Sequence, residues 1–82
     1  MEDCILDDGS GIPRLMRVEK EQQELTIIRP GEEYYYGFRI RKYSVMINDV
    51  QGIFLIAGEE PLDDGEAKSL IDQFRPSPVE TL

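Results

Sequence analysis

The chain reads as an α+β domain, a small antiparallel β-meander of four to five strands with one C-terminal helix packed on one face. Three features predict this. Tyr34–Ile47 followed by Gly52–Ala57 holds most of the large apolar side chains, with aromatic and β-branched residues dominating as strands prefer. Short turn-forming clusters separate the apolar runs that precede it. Near the C-terminus, Ala67, Leu70, Ile71 and Phe74 recur at i, i+3, i+4, i+7, which is the stripe of an amphipathic helix.

Within the long apolar stretch, Tyr34, Tyr36, Phe38 and Ile40 occupy even positions, with Arg39 and Arg41 between them. That is the two-residue alternation of a half-buried strand. After Arg41-Lys42 the parity reverses, because Tyr43, Val45 and Ile47 are odd. A straight strand would then turn its second apolar set outward, so a β-bulge is expected near Arg41-Lys42, with Gly37 as a second place to bend. Asn48-Asp-Val-Gln-Gly52 carries turn chemistry, so Tyr43–Ile47 and Ile53–Ala57 are expected to form an antiparallel hairpin. Ile53–Ala57 is apolar without alternation, which predicts a central strand covered on both faces.

The preceding segments follow the same logic. Cys4-Ile-Leu6 is a short strand or arm among carboxylates, ended by the turn cluster Asp7-Asp-Gly-Ser-Gly11. That cluster is no calcium loop: with Gly11 at the sharp-turn position, Leu6 falls where the first ligand belongs and Arg17 where the bidentate Glu belongs. Pro13–Glu19 and Glu24–Arg29 read as strands joined by the polar turn Lys20–Gln23, and Pro30-Gly31 stops the second. The helix is expected over Asp64–Phe74, with Asp63 and Glu66 in a capping-box relation and Arg75-Pro76 at its end. Residues 1–76 thus form a single domain, with 1–11 as an acidic N-terminal arm and turn and 77–82 as a flexible tail.

Composition bounds the function. The 82 residues make one thin core, burying only about 60 per cent of the surface of the unfolded chain. Asp and Glu outnumber Lys and Arg by 17 to 9, a formal charge of −8, so direct nucleic-acid binding is not expected. One cysteine, Cys4, rules out an internal disulfide and fits a reduced, cytoplasmic setting. Neither a signal-peptide pattern nor an apolar run long enough to span a membrane is present, so no membrane association is expected. With no histidine the usual general base and nearly every zinc site are missing, and no glycine-rich phosphate loop occurs. The expectation is a protein without catalytic residues, cofactor or metal.

Two groups of residues point to binding. Tyr35, Arg39, Arg41, Lys42 and Tyr43 form a candidate partner-binding strand, since Tyr and Arg are enriched at interaction hot spots. Against this stands a packing role, with the tyrosines beneath the helix and the arginines paired with surplus acids. Glu59, Glu60, Asp63, Asp64 and Glu66 form an acidic patch that could dock on a cationic surface or serve as the start of the helix. The expected function is a non-enzymatic protein-protein interaction module, an adaptor, chaperone-like subunit or inhibitor. It would bind a protein partner through the aromatic/Arg strand face or a sheet edge, and a free edge also allows a homodimer. The alternative is an acidic inhibitor that mimics nucleic acid, with carboxylates in rows at the phosphate repeat.

Thr26-Ile-Ile-Arg29 and Tyr36-Gly-Phe-Arg-Ile40 together resemble the first strand and carboxylate-binding loop of a PDZ domain. The resemblance implies a Gly-aromatic pair presenting backbone amides to a peptide C-terminus. It covers residues 26–40, and Glu59–Glu66 departs from the family in lacking its small-residue helix and the Gly-Asp start of the strand after it.

Overall fold

The computed structural model describes residues 1–82. Strands β1 (Glu2–Asp7), β2 (Arg14–Val18), β3 (Glu24–Ile28), β4 (Tyr35–Ile47) and β5 (Val50–Gly58) precede helix α1 (Asp64–Phe74) and a two-residue strand β6 (Glu80–Thr81). The five main strands lie in the order β2-β1-β5-β4-β3. The sheet is mixed rather than a meander. β1 runs parallel to β5, Cys4 beside Leu55 and Leu6 beside Ala57, while β1–β2, β3–β4 and β4–β5 are antiparallel. The expected N-terminal arm is therefore an interior strand, and Cys4, Ile5 and Leu6 are fully buried.

The connection between β2 and β3 curls this sheet. These strands are the two ends of the order, separated by four strand spacings, or about 19 Å if the sheet were flat. Only Glu19–Gln23 joins them, and the Gln22 amide donates back to the Glu19 carbonyl at 3.1 Å. So short and folded a link brings the edges toward one another and nearly closes the sheet into a barrel. Its inner face holds Cys4, Leu6, Val18, Leu25, Ile27, Phe38, Leu55 and Ala57, residues drawn from all five strands.

The outer face carries a second core, and α1 covers it. Ile5, Val45, Phe54 and Ile56 pack there against Ala67 and Ile71, with Tyr43, Ile47, Leu62, Leu70 and Phe74 around them. The helix has the expected limits. Asp63 Oδ1 accepts from the Glu66 amide at 2.8 Å, Lys68 and Asp72 pair across one outer turn at 3.5 Å, and Arg75 ends the helix in the left-handed region at φ 48°. An 11-residue helix is marginal alone. Burial of Ile71, worth about 1.5–3 kcal/mol, helps hold it on the sheet.

Two cores explain the parity reversal in β4, and there is no bulge. From Arg39 opposite Gly58 to Ile47 opposite Val50 the register is unbroken. Tyr36, Phe38 and Ile40 face the barrel interior, whereas Tyr43, Val45 and Ile47 face the helix. The apolar set changes sides because the ribbon passes from one core to the other. β5 serves both along most of its length, Leu55 and Ala57 inward, Phe54 and Ile56 outward, as its unalternating sequence implied. The hairpin closes through Asn48 and Asp49, both at positive φ (52° and 65°), the two-residue turn whose twist matches paired strands.

Residues 77–82, expected as a flexible tail, lie along β5. Glu80 and Thr81 pair with Ile53 and Gly52, the Val79 and Leu82 amides donate to Ile53 and Gln51 carbonyls at 2.8 Å, and the Ser77 amide donates to Asp3 Oδ2 at 2.9 Å. Gly52 permits this approach: a Cβ there would stand 3.1 Å from the Phe54 ring and 3.2 Å from Pro78.

Candidate interaction surface

The helix covers only part of the outer face. Where β3 pairs with the first half of β4, the outward positions form the rows Ile28–Tyr35, Thr26–Gly37 and Glu24–Arg39. Ile28 is 51% and Tyr35 69% exposed although they are direct cross-strand partners, and Arg39 beside them is exposed and makes no ion pair. Tyr34, 64% exposed, packs its ring edge-on to Tyr36 at 6.0 Å, on the side of the strand away from Tyr35.

Beneath this surface a polar network fixes the β3–β4 connection. The Arg29 guanidinium lies 4.1 Å from the centroid of the Tyr36 ring and donates through Nη2 to the Asp8 carbonyl at 3.1 Å, while the Tyr36 hydroxyl donates to Glu32 at 3.1 Å. Arg29 Nε and Glu32 Oε2 are buried there without a protein partner. Asp8, only 4% exposed, accepts from the Ser10 amide at 3.0 Å and from Arg14 at 3.4 Å. Hydrogen bonding from Ser10, first its side chain and then its amide, with the nearby Arg14 and Arg29 charges, outweighs burial and holds the Asp8 carboxyl below its ordinary range. The sequence signalled the Asp-x-Ser turn but not its contact with Arg29, which is distant along the chain.

The five strand residues singled out from sequence do not form one surface. Tyr35 and Arg39 share the open outer face. Arg41 is half-buried and donates to the Gly58 carbonyl at 3.1 Å, and Tyr43 accepts the Leu62 amide at 3.0 Å, so both brace the segment leading to α1. Lys42 lies on the opposite face, across from Leu55 and near Glu2, Glu21 and Glu80. Ile28, absent from the sequence selection, extends the surface that Tyr35 begins.

The acidic residues Glu59, Glu60, Asp63, Asp64 and Glu66 are all exposed. Asp63 caps the helix, and Asp64 and Glu66 lie in its first turn, where its dipole favours carboxylates. Glu59, Glu60 and Glu66 line an open cleft of about 260 Å³ with Asp7 and Tyr43. No three His, Cys, Asp or Glu side chains converge as a metal site would need. Cys4 lies in the barrel interior, and burial pushes its thiol up to about 11, against a smaller opposing effect from the Ala57 backbone. A thiol so held is a poor nucleophile.

The Gly37-Phe38 pair of the PDZ resemblance lies within β4 opposite Thr26 and Leu25, in strand rather than in a loop. No helix is long and apolar enough to cross a membrane. Comparison of the chain with protein-family models, curated proteins and solved structures gave no match.

Proposed function

We propose that this chain is a non-enzymatic protein-binding module whose contact surface is the outer face of β3 and β4, centred on Ile28 and Tyr35, with Arg39 alongside. The observation that supports this reading is the Ile28–Tyr35 pair. A paired β-branched and aromatic residue is what a sheet buries under a covering layer, yet here it lies beyond the reach of α1 with both side chains more than half exposed. Tyr35 supplies a rigid anchor, and Arg39 supplies a cation free of intramolecular ion pairs. Arg29 stacked on Tyr36 stiffens the base, so the surface is ordered before a partner arrives and less entropy is lost on binding.

The test is affinity capture from native extract with the wild-type chain and with the Tyr35→Ser, Arg39→Glu double variant, at low and raised salt. Both substitutions fall at exposed positions, so the fold should survive. A partner held by the wild type at both salts and lost by the double variant supports the reading, whereas a partner retained by the variant overturns it. The acidic residues support a second reading, inhibition of a basic nucleic-acid-binding protein, because Glu59, Glu60, Asp64 and Glu66 are exposed and none has an ion-pair partner. Capture through that patch would fade at modest salt and survive the Tyr35 and Arg39 changes.

A further inference from the structure

We infer that the second half of β4 is a self-pairing edge at which two copies of this chain join into one continuous sheet. The Ile40 amide donates to the Gln23 carbonyl at 2.9 Å, so even-numbered backbone groups of β4 point toward β3 and odd-numbered ones toward β5. β3 ends there: its last paired residue is Glu24, opposite Arg39. The N–H and C=O groups of Lys42, Ser44 and Met46 therefore line an edge with no strand opposite, and all three residues are exposed.

Natural sheets blunt such edges with proline, bulges or inward-pointing charges. Lys42 places one such charge at the start of this edge, on the inner face, but from Tyr43 to Ile47 there is none: the register is unbroken, proline is absent and Tyr43-Ser-Val-Met-Ile47 is uncharged. Met46, 54% exposed, stands on one side of the ribbon, while Tyr43 and Ile47 are half-exposed on the other, at the margin of the helix-covered core.

The occupant follows from charge and register. From Tyr34 to Asn48 the chain has three bases, Arg39, Arg41 and Lys42, and no acid; the next carboxylate, Asp49, sits in the hairpin turn. Antiparallel pairing of two copies about a two-fold axis at Val45 sets Ser44 against Met46 of the other copy and Tyr43 against Ile47, and brings the end of the edge at Lys42 up to the other copy's Asn48-Asp49 turn. The cation and the carboxylate that meet there attract, and no like charges face each other along the ladder. A two-fold at Ser44 would instead bring Asn48 against Ile40, whose amide Gln23 already holds. The net charge of −8 on each copy opposes the contact, so association should strengthen as salt shortens the Debye length from about 30 Å at 0.01 M to about 8 Å at 0.15 M. This edge is separate from the Tyr35 surface and does not depend on it.

Sedimentation of the whole chain from micromolar to millimolar concentration, with amide exchange at both ends of that range, tests the inference. A dimer that tightens with salt, with Ser44 and Met46 amides protected only at high concentration, is the expected result. Met46→Lys should weaken it by about tenfold or more, while Asp49→Asn, which keeps a residue tolerant of positive φ in the turn, should weaken it less. Tyr35→Ser should leave it unchanged. A monomer at every concentration, or a dimer indifferent to both Met46→Lys and Asp49→Asn, overturns the inference. Should Met46→Lys fail to fold, the Asp49→Asn comparison and the exchange data still decide.

Discussion

Phe38→Ala probes the curl of the sheet. Phe38 is 1% exposed and sits opposite Leu25 on the inner face, where only the near-closure of the barrel keeps water away. Truncating a phenylalanine so enclosed costs about 3–5 kcal/mol through lost transfer energy and the cavity left behind. A domain of 82 residues has about 4–12 kcal/mol of stability in total, so the variant should lose a large fraction of it. Urea unfolding followed by far-ultraviolet circular dichroism reads this as a midpoint lowered by about 1.5 M or more, given a slope of about 1–2 kcal/mol per M. Tyr35→Ala is the control on the same strand: its side chain is 69% exposed and its loss should stay within about 0.5 kcal/mol. A cost for Phe38→Ala below about 1 kcal/mol, or equal to that of Tyr35→Ala, would refute the enclosed inner face.

Other consequences are checked more simply. Tyr43→Phe removes the acceptor of the Leu62 amide and should cost about 0.5–1.5 kcal/mol by the same unfolding assay, because Tyr43 anchors the segment leading to α1. The Cys4 thiol, buried and held near 11, should resist alkylation in the folded protein and react at the rate of unfolding, which timed mass spectrometry would follow. Asp8 has a folded pKa below its unfolded one. Its contribution is therefore present above the unfolded value and lost as pH falls through the folded one. Asp8→Asn should lower stability at neutral pH and flatten the acid side of the stability profile, as unfolding titrations at several pH values would show.

Some of this architecture is legible in the residues and some is not, for physical reasons. The helix over Asp64–Phe74 and the turn at Asn48-Asp49 rest on local chemistry: a capping carboxylate, a 3.6-residue stripe, and residues that tolerate positive φ. The parity reversal after Arg41 was just as visible, but periodicity reports which side of a ribbon is buried, not the path of its backbone. One exposed face would require a bulge, whereas two cores require none. The parallel pairing of Cys4 and Leu6 with Leu55 and Ala57 is beyond local reading, because no turn residue marks a partner so distant in the chain. The same holds for Glu80 and Thr81 against β5, where Gly52 is the one residue whose smallness hints that another segment comes close. Within the binding strand, the expected bulge let Lys42 be grouped with Tyr35 and Arg39, whereas the unbroken register puts it on the other face, and nothing local could reveal that Arg41 and Tyr43 are held by Gly58 and Leu62.

The claim on which the rest stands is that β4 runs without interruption from the barrel interior to the helix-covered face. Nuclear Overhauser contacts between α-protons across β4 and β5 test it directly, because non-hydrogen-bonded antiparallel pairs bring those protons close. The expected contacts are Ile40 with Ala57, Lys42 with Leu55 and Ser44 with Ile53, one constant register through the parity change. A one-residue jump in that series at Arg41 or Lys42 would restore the bulge and contradict the two-core fold.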